Sequence, residues 1–412
     1  MADQNNFYDF IPGRSGLLKG VSGSPENTVP NVNGHIHTPH SFSAFGNIRQ
    51  AFEMAKAEGV KVLGINDFYT TDGYEEFAAI AREYAIFPLF NIEFMALQED
   101  MQREGVRVND PNNPGRTYFS GKGLHFPVRM SESSHLKMRV VQEESNRQTR
   151  EMIDQLNGFL TGSGIDLKFD AVEMQQQLAK NLLRERHIAK ALRLAVFGKY
   201  AAGEDRLSCF ERLFSGKKVK SQMNDFAGLE NEIRGNLLKA GGAAFVAEDP
   251  RAFLTLQEVK DLIIDAGGIP CYPVLLDDAS GKFTDYEGDW EKLLQNLSEN
   301  RVYCIELIPG RNDYTILKNF VRFFHRHNFV ITFGTEHNTP QLDPVKITCR
   351  GGIPLDDELL SINYEGAAVV AAHQYLKARG EEGYLSGYEA KQHQLDEFIG
   401  LGKEVISAFV KH

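Results

Sequence analysis

One unit recurs along this sequence: an apolar run, a polar residue at its exit, then an amphipathic stretch. Residues 32–37 read as a strand, and 47–58 as a helix whose Ile48, Ala51, Phe52 and Ala55 recur at helical spacing. Residues 60–66 form a second apolar run ending in Asp67. A helix is expected over 72–84 and a third strand over 86–92, ending in Glu93. After a long interruption the unit returns. A helix over 255–266 stops at Gly267-Gly268, as a helix C-cap should, and strands follow over 269–274, 302–308 and 329–334 with helices at 290–297 and 314–327 between them. Strands alternating with helices, each strand leaving into polar residues, predict a parallel α/β sheet or barrel.

The interruption fixes the domain organisation. Residues 1–30 mix Gly, Ser, Pro and Asn without periodicity and read as an N-terminal arm. The barrel is expected from 31–126 together with 245–354. Residues 127–244 read as a helical insertion, with helices over 131–160, 170–181, 184–197, 204–214 and 225–240, placed to act as a lid. Residues 355–412 read as a C-terminal helical extension, an appendage with helices near 364–378 and 387–410.

Composition narrows the function. Of 412 residues, 42% are hydrophobic and 25% charged, as in an ordinary globular chain. A net charge of -11 excludes a large nucleic-acid-coating surface. A small phosphorylated substrate remains compatible, because a metal ion locally inverts the field. The four cysteines, Cys209, Cys271, Cys304 and Cys349, form no C-x-x-C pair and read as reduced thiols. Neither a leader-like apolar segment nor a membrane-length run is present, so a cytoplasmic location away from membranes is expected.

Metal-compatible residues gather at the strand exits. His35 and His37, two apart on a strand, face the same way and suit a divalent ion. Glu93, Glu336 and His337 follow later strands, and His125 lies near a short strand expected within 117–126. In α/β barrels this rim is where catalytic groups collect. His35, His37, Glu93, His125, Glu336 and His337 are therefore the candidate metal ligands. A solvated His pair beside a turn is the alternative for H-x-H taken alone.

These segments resemble the PHP (polymerase and histidinol phosphatase) superfamily. Gly34-His35-Ile36-His37-Thr38 is similar to its H-x-H-T motif, Gly64-Ile65-Asn66-Asp67-Phe68 to G-I-T-D-H, and Asn91-Ile92-Glu93 to G-I-E. Ala266-Gly267-Gly268-Ile269-Pro270-Cys271-Tyr272-Pro273 resembles A-G-G-x-x-x-x-H-P, and Gly334-Thr335-Glu336-His337 resembles G-S-D-x-H. Arg186-His187-Ile188-Ala189-Lys190-Ala191-Leu192 and Ile305-Glu306-Leu307 resemble segments of a subgroup with a helical insert that acts on nucleotides and short oligoribonucleotides. The resemblance implies a distorted β/α barrel and a metal-dependent phosphoesterase using a metal-activated water. Phe68 and Tyr272 stand where the family has histidines, which implies one to two ions (Zn, Mn or Fe) rather than three.

Remaining roles follow. His337 and Asp67 are candidates for proton handling or for orienting a ligand. Arg311, His40 and His187 are candidates for binding the substrate, against plainer roles in an ion pair, a turn cap and a packed helix face. Two competing readings stay open: a degenerate relative that binds its ligand without turnover, and a metal-dependent hydrolase of a non-phosphate bond such as an amide or lactone. Oligomeric state has no signature in the sequence.

Overall fold

The computed structural model describes residues 6–19 and 29–412. Seven strands form one sheet in sequence order: β1 (Asn31–Ile36), β2 (Val60–Phe68), β3 (Phe87–Leu97), β4 (Arg116–Lys122), β5 (Ile269–Val274), β6 (Cys304–Leu307) and β7 (Val330–Phe333). Neighbours pair in parallel except at β4, which runs antiparallel to both β3 and β5. The sheet curls until its ends nearly meet. Ile36 bridges Glu336 in parallel, His37 N–H donates to the Glu336 carbonyl at 2.7 Å, and the Thr335 and Glu336 amides donate to the His35 carbonyl at 3.0 Å. The result is a distorted β/α barrel, as expected.

Hydrophobic patterning explains the layers. The strands are buried along nearly their whole length, as strands covered on both faces must be. Helices Ile48–Ala57 and Tyr74–Tyr84 lay Ile48, Phe52, Phe77 and Ile80 against them. Asn47 caps the first of these helices by accepting from Gln50 N–H, so its start matches the expected boundary.

Two expectations fail in instructive ways. Over its described part the N-terminal arm is packed, not extended: Phe7, Tyr8, Ile11 and Leu17 are buried, and the Gln374 amide donates to the Tyr8 hydroxyl. The rest of the arm, residues 1–5 and 20–28, lies outside the described residues. The C-terminal segment is also more than an appendage. Helix Asp357–Ala378 is buried on all sides over residues 366–376 and crosses the barrel where β1 and β7 fail to pair fully. There Asn363 donates to the Val32 carbonyl and accepts from Phe333 N–H, satisfying edge groups of both strands. Helix Leu395–Val410 packs on it.

The helices between residues 132 and 233 surround a hydrophobic cluster of their own, including Leu156, Leu160, Leu192, Phe210 and Ile233. The Arg234–Leu238 turn is a π-helix rather than the α-helix expected there. No helix among the described residues is long and apolar enough to cross a membrane.

Candidate metal centre

The end of β1 delivers two imidazoles to one point. His35 Nε2 and His37 Nε2 lie 3.2 Å apart, and Glu93 Oε2, from β3, lies 3.3 Å from the latter and 3.9 Å from the former. All three side chains are buried, and they form the one group of three ligand-type residues with a metal-compatible spacing among the described residues. Close backbone approach makes this possible. A Cβ on Gly334 would sit 2.3 Å from His35 Cβ, so only glycine lets the 334–337 loop close against β1.

The partners of each imidazole fix its tautomer. His35 Nδ1–H donates to Glu306 Oε2 at 2.8 Å, leaving Nε2 unprotonated, and the Asn66 amide nitrogen lies 3.1 Å from both ring nitrogens. His37 Nδ1 lies 3.2 Å from Ser41 Oγ, whose proton goes to Asp67 Oδ1 at 2.6 Å; His37 Nδ1 is therefore the donor and its Nε2 also carries a lone pair. Two unprotonated nitrogens 3.2 Å apart beside a carboxylate form a donor set that a cation would satisfy. Burial holds His37 below its ordinary pKa, so a bridging proton is disfavoured.

Charge points the same way. Three carboxylates converge on the centre. Glu306 is ion-paired with Lys122, and Glu336 with Arg311; among the described residues Glu93 has no basic partner but the two histidines. Burial pushes the Glu93 carboxyl up to about 8, with His35 opposing and Glu336 and Glu306 adding to the rise. Glu306 is equally buried, but His35 and Lys122 hold it down at about 2. Of these three, the carboxylate without a Lys or Arg partner among the described residues is the one beside both Nε2 atoms. The donor set fits a divalent metal of the Zn, Mn or Fe type.

Other expected ligands fall elsewhere. His125 lies beyond β4, and because β4 is antiparallel its exit faces the opposite end of the barrel. There the His125 amide donates to the Ala266 carbonyl, and its ring abuts Gly267 just before β5. Glu336 is near the centre but turned aside, accepting from the Arg311 guanidinium and the Asn338 amide. His337 has both nitrogens engaged, Nδ1 with Thr335 Oγ1 at 2.7 Å and Nε2 with the Asp343 carbonyl at 2.8 Å, and it stacks on Phe45. Glu336 and His337 both adopt left-handed backbone, at φ 61° and 55°.

The remaining candidates are structural in this geometry. Asp67 accepts from Thr38 N–H, Thr38 Oγ1 and Ser41 Oγ, behind His37. His40 Nε2 meets Lys180 Nζ at 3.2 Å, on the far side of the loop. His187 caps its own helix, its Nδ1 accepting from Arg184 N–H at 3.0 Å, and burial lowers its pKa to about 4. Arg311 lines the cavity but is spent on Glu336.

Phe68 and Phe42 both pack against His37, with centroids 5.2 and 5.5 Å away, and against each other at 6.1 Å. Tyr272 turns its hydroxyl to Glu287 Oε1 at 2.9 Å, which also accepts from the Leu275 and Leu276 amides. Neither can ligate an ion at this centre. Sequence reasoning missed Lys122, Asn66 and the positioning role of Glu306. A lysine within β4 and a glutamate within the apolar β6 were the readable signal, since burying either demands a partner. A cavity of about 360 Å³ opens above the centre, between barrel and insertion.

No family model matches the chain, and no curated protein matches it. Among solved structures, a proposed metal-dependent phosphoesterase from Bifidobacterium adolescentis aligns with a TM-score of 0.52 at 17% identity, covering 82% of this chain and 96% of that one. The two share a fold. An amidohydrolase from Chromobacterium violaceum, with bound sulfate and no metal, reaches a TM-score of 0.48 at 17% identity over 81% of this chain and 96% of its own. That likeness is too remote to carry an argument.

Proposed function

We propose that the chain is a metal-dependent hydrolase of the PHP type, acting on a small phosphorylated metabolite or nucleotide. The observation that carries this reading is the pair of imidazole lone pairs, each fixed by a buried carboxylate, facing Glu93 across one metal-sized space. His35, His37 and Glu93 would hold the ion. When bound, a divalent metal supplies Lewis acidity and a water nucleophile at neutral pH. Glu306 and Asp67 act through His35 and through Ser41–His37, keeping Nε2 of each ring available. His337 and Asp67 have no free atom turned to the cavity, so orientation, not proton transfer, is the role this geometry supports for them.

The cavity supports an anionic substrate. In a chain of net charge -11 its lining balances six carboxylates, of which Glu93 faces the metal site, with Arg116, Arg184, Arg186, Arg234, Lys239 and Arg311. Most of these come from the insertion, which as a lid would exclude water. The test is turnover of a panel of phosphomonoesters, short oligonucleotides, amides and lactones by protein loaded with Mn²⁺ or Zn²⁺. Phosphate release that disappears in a folded His35→Ala variant supports the reading; no release above that variant, with metal verified bound, rejects it.

A second reading, ligand binding without turnover, is favoured by Phe68 and Tyr272, which remove two ligands the family resemblance leads one to expect. It is distinguished by tight phosphate binding with no product from any member of the panel.

A further inference from the structure

Six cations line the cavity, and four are already held in ion pairs with carboxylates. Arg311 pairs with Glu336, Arg116 with Glu248, and Arg234 and Lys239 both with Glu185 at 2.8 and 2.9 Å. Arg184 and Arg186 are different. Among the described residues neither guanidinium has an ion-pair or side-chain hydrogen-bond partner, and Arg186 Nη1 is buried with nothing to donate to. A buried guanidinium N–H without an acceptor is costly, and a site that keeps one is built for an acceptor that arrives with the ligand.

What holds these two side chains is a cluster of three rings. Phe42, Phe68 and His37 pack mutually, with centroids 5.2 to 6.1 Å apart; the Arg184 guanidinium carbon lies 5.5 Å from the Phe68 centroid and the Arg186 guanidinium carbon 5.2 Å from the Phe42 centroid. The three ring planes lie within 16° of parallel. A guanidinium over an aromatic face keeps its N–H edge free and loses little entropy when that edge is used. Phe68, which cannot bind a metal, serves here as a shelf for an arginine. The two arginines also flank the start of helix Glu185–Lys199, whose positive end favours anions.

We propose that Arg184 and Arg186 form an anion clamp beside the metal centre, gripping the non-bridging oxygens of a phosphate or phosphomonoester. The proposal rests on the phosphate-ester reading above and assigns substrate binding to these two residues in place of Arg311, His40 and His187. Forked N–H donors and tetrahedral oxyanions match in geometry, and the clamp supplies charge that a one-metal centre lacks.

The test is calorimetric titration of inorganic phosphate into full-length, metal-loaded protein. Arg184→Gln and Arg186→Gln, each checked for folding by its thermal melt, are each expected to weaken phosphate binding roughly tenfold or more. Arg186→Lys restores charge without the fork and is expected to recover only part. Lys218→Gln, on the exposed surface of the insertion, removes the same net charge and is expected to bind like the parent. The clamp is overturned if both Gln variants bind phosphate like the parent, if Lys218→Gln weakens it equally, or if the parent binds none at millimolar concentration. If the variants lose phosphate while the parent turns over no ester, the clamp stands and the hydrolase reading fails.

Discussion

Glu306 makes the sharpest residue-scale prediction. It accepts the His35 Nδ1 proton on one oxygen and the Lys122 ammonium on the other, and both partners are buried. Glu306→Gln removes the charge and leaves Lys122 uncompensated. The variant is expected to lose about 3–5 kcal/mol of stability in urea titrations, as when a buried pair is broken on one side. Its metal affinity should fall roughly 10–100-fold in competition with a chromophoric chelator. Phe68 and Tyr272 give a second prediction: one ion per chain by elemental analysis. Two or more ions would mean that ligands outside His35, His37 and Glu93 had been recruited.

Glu93 sets the pH behaviour. Its carboxyl moves from an ordinary 4.5 to about 8 on burial, so between these values the folded, metal-free protein binds more protons than the unfolded chain. Stability of the chelated protein therefore falls as pH rises through this window, because the unfolded state binds fewer protons there. Metal must displace that proton. Affinity is expected to rise with pH from 6 towards 8, with up to about one proton released per ion, and to level off above. Calorimetry in buffers of different ionisation enthalpy measures the release; a pH-independent affinity would contradict it.

At the scale of elements, helix Asp357–Ala378 is the piece most misjudged from sequence. Apolar residues on every side were visible, but nothing local says that such a helix seals a barrel instead of covering its outside. A Cβ on Gly366 would fall 1.9 Å from the Ile331 carbonyl oxygen. Gly366→Ala is expected to cost on the order of 3 kcal/mol or more in denaturant unfolding, since backbone must move to admit it. The strand β4 teaches a related lesson. Its apolar alternation was legible, its direction was not, and that direction alone moved His125 to the other end of the barrel.

At the scale of the molecule, a chain of net charge -11 encloses a cavity lined by six basic and six acidic side chains. Binding of small phosphorylated ligands is expected to weaken with added salt, while duplex DNA should show no measurable association at physiological ionic strength by fluorescence anisotropy. The insertion contributes both its own hydrophobic cluster and the two uncommitted arginines, so assembly of the cavity depends on insertion and barrel packing together.

Period and punctuation were enough to determine the β/α alternation, the starts of the barrel helices to within two residues, the His35–His37 pair and the place of Glu93, because burial writes its spacing directly into sequence. The two C-terminal helices, by contrast, begin seven residues earlier and eight later than expected. Tertiary structure decided the rest. Strand direction, the packing of a helix across the gap in the barrel, and the distance between a charge and its partner depend on contacts between residues hundreds of positions apart. Lys122 meets Glu306 across 184 positions, and Asn363 reaches Val32 across 331. Which histidines carry a free lone pair, and which arginines remain unpaired, follows from those contacts and from nothing local.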